Sequence, residues 1–271
     1  MKIRAAVFDL DGTLLNERKE ISPANRRAIG QLQASGVKIL FATGRNAVYV
    51  QGLAADLGGV EVIIACNGAL IRRVADGRTL YHRLLRPELV QELASYGFLH
   101  GLDFTASVDG AMFCTEASER VQVFIDYNKT MPVPYQIPLR TMRSPLDLAA
   151  QQVLKMFVWK LPADLEGDFR SQFGTLSDIE LITSEKDGLD IGSVGVDKGT
   201  ALESFADMYQ IPLSEIAAFG DHENDIQMLD KAGYSVAMGN ALPRVKRHAR
   251  FCTKDHRKDG VAWAIEEYLL C

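Results

Sequence analysis

Two aspartates, Asp9 and Asp11, stand two positions apart directly after the short apolar run Ala5–Phe8. If the chain stays extended there, both side chains point to one face of the strand, where two carboxylates repel each other. Such a pair needs a cation, a shared proton, or a division of labour between an ionised and a protonated carboxyl group. Taken alone, the same pattern is equally typical of an ordinary D-x-D-G turn.

Two further aspartates, Asp221 and Asp225, follow the apolar run Ile216–Phe219 near the other end of the chain. Three or four carboxylates that meet at one edge of a sheet predict a site for a hard divalent cation with oxygen ligands. Mg²⁺ is the favoured ion, because it typically uses few carboxylates and keeps coordination positions for water or phosphate.

A third cluster, Thr43-Gly44-Arg45, follows the apolar run Val37–Ala42 and opens a predicted helix. Its hydroxyl and backbone N–H groups suit anion binding, although the same residues also fit an ordinary Thr-Gly helix start. Lys198 stands at the start of another predicted helix, a position that is also typical of a solvated surface lysine. Asn224, between the two late aspartates, could equally be a helix N-cap.

Each of these clusters stands either at the end of an apolar run or at the start of a predicted helix. The runs lack polar alternation, which is typical of strands buried on both faces; they are Ala5–Phe8, Val37–Ala42, Val62–Cys66, Ile216–Phe219 and Ser235–Met238. Helices are predicted between them, from the cap Ser22 to the stop Gly36, and over Val48–Leu57, Asp197–Met208, Asp225–Ala232 and Val261–Leu270. This alternation predicts an α/β fold with a doubly wound parallel sheet, whose ligands bind outside the carboxyl ends of the strands.

The middle of the chain has a different pattern, which predicts a separate α+β module inserted between residues 84 and 189. The remaining residues, 1–83 and 190–271, then form one discontinuous core domain. Asp109-Gly110 suits the type I′ turn of a hairpin. The predicted elements of the insert are helices at Pro87–Leu99, Ser118–Thr130 and Leu165–Phe173, strands at Asp103–Val108, Ala111–Thr115, Val153–Trp159 and Ile179–Thr183, and a connection over Pro132–Pro145.

Composition excludes several classes of protein. The chain has 271 residues, of which 47% are hydrophobic and 24% charged, and its net charge of −5 argues against a nucleic-acid-binding surface. No apolar run approaches 18 residues and no signal peptide fits the N-terminus, so neither membrane insertion nor secretion is expected. The four cysteines, Cys66, Cys114, Cys252 and Cys271, are too far apart for a disulfide framework or a zinc knuckle, which favours a reducing cytoplasm.

The chemistry-bearing segments resemble, in order, the four motifs of the haloacid dehalogenase superfamily. These segments are Asp9-Leu10-Asp11-Gly12-Thr13-Leu14, Thr43-Gly44-Arg45, Lys198-Gly199 and Gly220-Asp221-His222-Glu223-Asn224-Asp225. Asn67-Gly68-Ala69, Gly239-Asn240-Ala241 and Asp259-Gly260-Val261-Ala262 are similar to further motifs of its Cof-type phosphatases. The sequence departs from the usual pattern at His222, Asp190 and His256, where Gly, Glu and Asn are common.

The resemblance implies a Rossmann-like core with an inserted cap domain, and it implies a role for each motif residue. Asp9 would be the nucleophile and Asp11 the general acid and base. Mg²⁺ would be held by Asp9, Asp221 and the backbone carbonyl of Asp11, with Asp225 nearby. The phosphoryl oxygens would be bound by Thr43, Gly44 and Lys198, while Asn224 would contact phosphate or orient Lys198 and Arg45 would reach the substrate.

The function expected from this resemblance is a Mg²⁺-dependent phosphomonoesterase acting on small cytoplasmic phosphate esters, with sugar phosphates as the first choice. The alternatives are a pyridoxal 5′-phosphate phosphatase, a phosphomutase, and a catalytically silent protein that responds to phosphate or Mg²⁺. Intact Asp9, Asp11, Lys198 and Asp221 argue against the silent protein. The expected partner is a small phosphorylated metabolite, with no nucleic acid or membrane, and the expected state is a monomer or weak homodimer.

Overall fold

The computed structural model describes residues 3–116, 118–185 and 188–270. Within these residues the strands are β1 (Ala5–Phe8), β2 (Lys38–Ala42), β3 (Val60–Ala65), β4 (Leu70–Arg73), β5 (Thr79–His82), β6 (Asp103–Val108), β7 (Ala111–Thr115), β8 (Leu139–Met142), β9 (Val153–Trp159), β10 (Ile179–Glu185), β11 (Gly188–Ser193), β12 (Ile216–Gly220), β13 (Tyr234–Ala237) and β14 (Phe251–Cys252).

The α-helices of the same residues are α1 (Pro23–Ala34), α2 (Gln51–Leu57), α3 (Pro87–Leu99), α4 (Glu119–Thr130), α5 (Ala163–Phe173), α6 (Lys198–Tyr209), α7 (Ile226–Lys231), α8 (Pro243–Lys246) and α9 (Gly260–Ala264). Short 3₁₀ turns cover Ala47–Tyr49, Cys66–Gly68, Val133–Tyr135, Pro145–Leu148, Leu213–Glu215, Glu223–Asp225 and His256–Lys258, and a π-helical turn covers Ile265–Leu269. In the part of the chain described, no helix has the length and apolar character that crossing a membrane requires.

The first sheet has the strand order β14-β13-β12-β1-β2-β3-β4-β5. Neighbours from β14 to β3 run parallel, and β4 returns antiparallel to β3 after a tight turn. The central strand β1 is fully buried, and the ring of Phe8 stacks on that of Phe219 with centroids 4.8 Å apart. The predicted parallel α/β sheet is therefore confirmed, and the predicted strands end within one residue of the predicted positions.

Local sequence signals explain where the helices of this sheet begin. The Ser22 side chain accepts a hydrogen bond from the Asn25 N–H and caps α1, with Pro23 in the first turn. Asp197 and Thr200 form a reciprocal capping box at the start of α6. Such caps satisfy N–H groups that have no partner inside the helix. The cap at Asp197 fixes the position of the next residue, Lys198.

The second sheet has the order β10-β11-β9-β6-β7-β8 and is antiparallel except for the β7–β8 pair. Its predicted hairpin is confirmed, with Val108 paired to Ala111 across a two-residue turn. On one face a core includes residues of α3, α5 and the sheet, such as Leu93, Phe169 and Phe104. On the other, Phe124 of α4 packs in a smaller cluster with Met112 and Cys114.

Several element predictions were wrong. Residues 139–142 form β8 instead of part of a connection, because they pair with β7. Residues 190–193 belong to β11 of the second sheet instead of the core domain, because β11 pairs with β9 and its Leu189 and Ile191 pack in the same core as Phe104 and Phe169. The predicted helix Val48–Leu57 is divided at Val50 into a 3₁₀ turn and α2.

The chain divides into two compact units. The first comprises Met1–Gly44, Leu53–Leu80 and Asp197–Cys271, and the second comprises Arg45–Gly52 and Tyr81–Val196. The segment Arg45–Gly52 is held in the second unit by Asn46, whose amide donates hydrogen bonds to the carbonyls of Val108 and Ala111. Cys66, Cys114 and Cys252 are thiols, and Cys271 lies outside the described residues.

Candidate active site

Three adjacent parallel strands bring the predicted site residues of the first unit to one edge of the sheet. Asp9 follows β1, Thr43 follows β2, and Asp221 follows β12. The N–H of Asp9 donates to the carbonyl of Phe219 at 3.0 Å, and that of Thr43 donates to the carbonyl of Ile64 at 2.9 Å. The strand ladder thus continues past the strand ends and fixes the backbone from which these side chains project.

Lys198 lies in the interior and is not a surface lysine. Its side chain has an exposed fraction of 0%, and its Nζ lies 2.6 Å from Oδ1 of Asp9 and 2.7 Å from Oδ1 of Asp225. A buried ammonium is costly unless it is paired and hydrogen-bonded. The two carboxylates supply that compensation. Lys198, the first residue of α6, thus links the end of β1 to the turn that precedes α7.

The other oxygen of Asp225 organises the loop after β12. Its Oδ2 accepts hydrogen bonds from the N–H groups of Asp221, at 2.9 Å, and His222, at 3.0 Å. The N-cap of this turn is His222 and not Asn224. The carboxylate of Asp221 is held as well, because its Oδ1 accepts from the hydroxyl of Thr13 at 2.9 Å and its Oδ2 from the amide of Asn240 at 3.2 Å.

Burial and mutual repulsion of the carboxylates shift the pKa values of this cluster. Burial, followed by the charge of Asp225, raises the pKa of Asp9 well above its usual value, although Lys198 opposes the shift. Burial and Asp225 likewise raise the pKa of Asp221 to about 6. Burial alone would lower the pKa of Lys198, but the charges of Asp225 and Asp9 outweigh it and the net pKa is raised. Lys198 is therefore a cation that leaves part of the negative charge uncompensated.

The chemistry of these donors fits a divalent metal ion. One carboxylate oxygen each from Asp9, Asp221 and Asp225 lie within 4.8 Å of one another. Lys198 contributes one positive charge against these three carboxylates, and the oxygens are hard donors of the kind that Mg²⁺ and Ca²⁺ bind. A divalent cation would relieve the repulsion that raises the pKa values of Asp9 and Asp221.

The candidate phosphate-binding residues Thr43 and Gly44 lie beside an amide pair. Asn224 donates from Nδ2 to Oδ1 of Asn67 at 3.0 Å, and the N–H of Asn67 donates to the Thr43 carbonyl at 3.0 Å. A Cβ at position 44 would lie 2.9 Å from that same Asn67 oxygen, so glycine is required for this close approach. Asn67 itself takes a left-handed conformation with φ of 56°, which asparagine tolerates.

Asp11 lies in the loop that leaves β1, and its Oδ1 pairs with Nζ of Lys19 at 2.6 Å. Isolated bridges join Asp11 to Leu15 and Leu15 to Ile21, so residues 11–21 fold back on themselves. We call this segment the 11–21 loop. The Asp11 side chain is 39% exposed, in contrast to the buried Asp9, so the two aspartates have different environments.

Arg45 belongs to the second unit, although it is the next residue after Gly44. Its guanidinium lies over the ring of Tyr49, 4.5 Å from the centroid. Asp190, one of the departures from the family pattern, is buried in the second unit with Oδ1 2.5 Å from Nζ of Lys155. His256, another departure, contacts the carbonyl of Leu15 through Nδ1 at 2.8 Å.

Sequence reasoning assigned no role to four residues that the structure places around the site: Thr13, Lys19, Asn67 and Asn240. Asn67 and Asn240 stand in motifs that the resemblance identified, and each follows a strand end. A polar residue two or three positions after a buried strand is the signal that could have found them. Lys19 carries no such signal, because its approach to Asp11 depends on the fold of the 11–21 loop.

The fold and the site define a hydrolase of the phosphoryl-transfer type, and the chain belongs to the haloacid dehalogenase-like hydrolase family, whose model matches residues 6–265. It is 31% identical to the pyridoxal phosphate phosphatase YbhA of Escherichia coli over 100% of both chains. It is 26% identical to the 5-amino-6-(5-phospho-D-ribitylamino)uracil phosphatase YcsE of Bacillus subtilis, over 99% of this chain and 96% of that protein. The solved structure of the subclass IIB sugar phosphatase BT4131 superposes with a TM-score of 0.82 at 25% identity, covering 98% of each chain.

Proposed function

We propose that this chain is a Mg²⁺-dependent phosphomonoesterase that hydrolyses small phosphorylated metabolites of the cytoplasm, with sugar phosphates as the first substrate class. The observation that carries the proposal is the buried Lys198, held between Asp9 and Asp225 beside Asp221. This arrangement offers a nucleophilic carboxylate, a cation for phosphoryl oxygens and a set of hard oxygen ligands at a single sheet edge.

The reaction has two steps. A carboxylate oxygen of Asp9 attacks phosphorus, the ester P–O bond breaks, and the leaving alcohol takes its proton from Asp11. Asp11, now ionised, accepts a proton from a water molecule that attacks the aspartyl-phosphate. The bond between Asp9 and phosphorus then breaks, and inorganic phosphate is released with Asp9 and Asp11 restored. The partial exposure of Asp11 suits proton exchange, because it contacts solvent.

The proposed metal ligands are Asp9, Asp221 and the backbone carbonyl of Asp11, with Asp225 nearby. When bound, Mg²⁺ would neutralise charge on the phosphoryl group and on the carboxylates. Lys198 supplies the complementary positive charge from the protein itself. It also keeps the Asp9 carboxylate in place, because its Nζ contacts Asp9 directly.

The phosphoryl oxygens are proposed to bind Thr43, Gly44 and Lys198, with Asn224 fixed through Asn67 at the same edge. Such preorganised donors stabilise charge that is spread over phosphoryl oxygens in the transition state. We assign selection of the leaving group to the second unit, Tyr81–Val196 with Arg45–Gly52, acting as a cap that includes Arg45. The reason is that the motif residues of the first unit are assigned to the phosphate, to the metal and, for Asp11, to the proton of the leaving oxygen. None of them is assigned to the rest of the alcohol.

A second substrate candidate is pyridoxal 5′-phosphate. It is favoured by the 31% identity to a relative that is named a pyridoxal phosphate phosphatase. The compound in the name of another relative, the 5-amino-6-(5-phospho-D-ribitylamino)uracil phosphatase, carries its phosphate on a sugar-alcohol chain, which supports the sugar-type class instead. Both candidates use the same phosphoryl-transfer residues and differ only in the alcohol.

The test is a screen of phosphate esters with Mg²⁺, scored by kcat/KM. The panel contains a generic aryl phosphate, hexose phosphates, pentose and pentitol phosphates, and pyridoxal 5′-phosphate, with an Asp9→Asn variant as background. The highest kcat/KM on sugar-type esters supports the first choice, and the highest on pyridoxal 5′-phosphate supports the second. Isomerised hexose phosphate without release of phosphate would indicate a phosphomutase. Absence of turnover on every ester, with retained phosphate binding, would support the catalytically silent alternative.

A further inference from the structure

Asn240, in the Gly239-Asn240-Ala241 motif after β13, uses both ends of its side-chain amide. Its Nδ2 donates to the carbonyl of Gly12 at 2.8 Å and to Oδ2 of Asp221 at 3.2 Å. Its Oδ1 accepts from the N–H of His256 at 2.9 Å. One amide therefore connects three separate segments: the turn after β1, the loop after β12 and the turn that starts at His256.

The hydrogen bond to Asp221 completes a clamp on that carboxylate. Thr13, which is fully buried, donates its hydroxyl to the opposite oxygen of Asp221 at 2.9 Å. Thr13 and Asn240 belong to different loops, so rotation of the Asp221 carboxylate would break a hydrogen bond to one or the other. The side chain is therefore held in one orientation before any ligand binds.

His256 extends the same connection to the 11–21 loop. Because the partner of its Nδ1 is the carbonyl of Leu15, at 2.8 Å, this nitrogen carries the proton and donates it. Asn240 thus fixes the backbone of His256, and the ring of His256 fixes the loop on which Asp11 stands. The network holds Asp221 and the 11–21 loop in one arrangement.

We propose that Asn240 is a positioning residue for the metal site, which orients Asp221 and fixes the Gly12 turn so that a divalent cation binds to a preformed ligand set. The inference rests on the proposed function, because it requires Asp221 to be a metal ligand. Residues that hydrogen-bond to metal ligands typically change metal affinity by about 10–100-fold when they are removed. Loss of Asn240 should have this effect, while a purely structural asparagine should not.

The chain offers a matched control in Asn25. This asparagine of the first unit also bridges two segments, donating to the Leu14 carbonyl at 3.2 Å and accepting from the Ala262 N–H at 2.9 Å, and it is more deeply buried than Asn240. Neither of these side-chain hydrogen bonds involves Asp9, Asp221 or Asp225. Asn25→Ala therefore removes a bridging amide that also holds the 11–21 loop, but it removes no contact to a carboxylate of the acidic cluster.

The experiment measures binding of Mg²⁺ alone by isothermal titration calorimetry, without substrate, on the full-length protein. Circular dichroism first verifies that each variant is folded. We expect Asn240→Ala to raise the Kd for Mg²⁺ at least tenfold and Thr13→Val to raise it too, while Thr13→Ser, which keeps the hydroxyl, restores most of the affinity. Asn25→Ala should lower the Tm and leave the Kd within twofold of wild type.

Turnover of an aryl phosphate gives a second readout. For Asn240→Ala, the Mg²⁺ concentration at half-maximal rate should rise in parallel with the Kd, and kcat at saturating Mg²⁺ should fall less than the affinity. If Asn240→Ala does not fold, Asn240→Ser takes its place, because its hydroxyl is too short to span Gly12 and Asp221. A folded Asn240 variant with an unchanged Kd overturns the inference and leaves the proposed function standing. A wild-type protein that binds no Mg²⁺ overturns the metal site and the inference together.

Discussion

The ammonium of Lys198 contacts the nucleophile candidate and one further carboxylate, so its removal affects charge balance as well as chemistry. Breaking a buried ion pair by removing one partner costs about 3–5 kcal/mol, because the remaining charge is left without compensation. Substitutions at Lys198 therefore mix loss of stability with loss of function. Asp9 gives a cleaner test, because an asparagine there keeps the shape and removes a charge that burial disfavours.

Asp9→Asn should reduce kcat for an aryl phosphate by at least about 10³-fold, because an amide is not an effective nucleophile toward phosphorus. The fold should persist, since Lys198 keeps its contact with Asp225. The measurement is phosphate release with matched circular dichroism. Asp56→Asn is the control, because Asp56 is an exposed aspartate paired with Arg26 and its loss should change kcat less than twofold. Retention of a tenth of the wild-type kcat by Asp9→Asn would exclude the covalent mechanism.

Asp11→Asn tests the second aspartate through the leaving group. An alkyl alcohol needs a proton as the ester bond breaks, whereas an aryl oxide is a much weaker base and leaves without one. The variant should therefore lose about 10²–10⁴-fold in kcat on an alkyl phosphate and distinctly less on an aryl phosphate. The measurement compares kcat for the two esters in wild type and variant. Equal losses on both esters would show that Asp11 is not the general acid.

At the scale of elements, the turn after β1 brings the backbone of Gly12 against the Asp221 carboxylate. Gly12 has φ of 84°, and a Cβ there would overlap both oxygens of Asp221. Gly36, after α1, has nearly the same φ of 81° with nothing within 4 Å of its Cβ position. Comparing alanine substitutions at these two glycines therefore distinguishes two costs: the backbone strain of a left-handed alanine, which both share, and the displacement of Asp221, which occurs only at position 12.

Gly12→Ala and Gly36→Ala should each destabilise the protein by about 1–2 kcal/mol, because alanine is strained in the left-handed region. Gly12→Ala alone should also weaken Mg²⁺ binding and lower kcat/KM for an aryl phosphate by about tenfold or more, because its methyl group displaces a metal ligand. Unfolding in urea and kcat/KM titrated against Mg²⁺ measure the two effects. Equal activity of the two variants would show that the Asp221 position is unimportant.

Elements of the first sheet could be predicted from sequence because β1, β2 and β12 are continuous apolar runs that end abruptly at polar residues. The ends of those runs also indicated Asp9, Thr43 and Asp221. Strands β8 and β11 lacked such a signal, because polar residues make up half of Leu139–Met142 and Gly188–Ser193 contains two glycines. The contact of Lys19 with Asp11 depends on the geometry of one loop, and the contact of Asn240 with Asp221 joins two different loops. The periodicity of apolar residues along the sequence indicates neither kind of contact.

At the scale of the whole molecule, the acidic cluster links folding to both pH and metal. The pKa values of Asp9 and Asp221 are raised in the folded protein, Asp221 to about 6, whereas an unfolded chain has values of about 4. The metal-free folded state therefore binds more protons than the unfolded state over this interval. The stabilising contribution of both groups is fully present below about pH 4; that of Asp221 is lost as the pH rises through about 6, and that of Asp9 as the pH rises through its own raised pKa.

Mg²⁺ binding reverses this trend, because the ion binds ionised carboxylates and competes with protons for them. We expect Mg²⁺ to raise the Tm more at pH 7.5 than at pH 5.5. At about 100 times its Kd a ligand adds about 2.7 kcal/mol, which corresponds to about 5–10 °C for a chain of this size. The measurement is the Tm with EDTA and with Mg²⁺ at both pH values. Asp221→Asn, which removes the charge and a ligand, should abolish most of the Mg²⁺ increment at pH 7.5. Equal increments at the two pH values, or an unchanged increment in Asp221→Asn, would show that these carboxylates do not bind the ion.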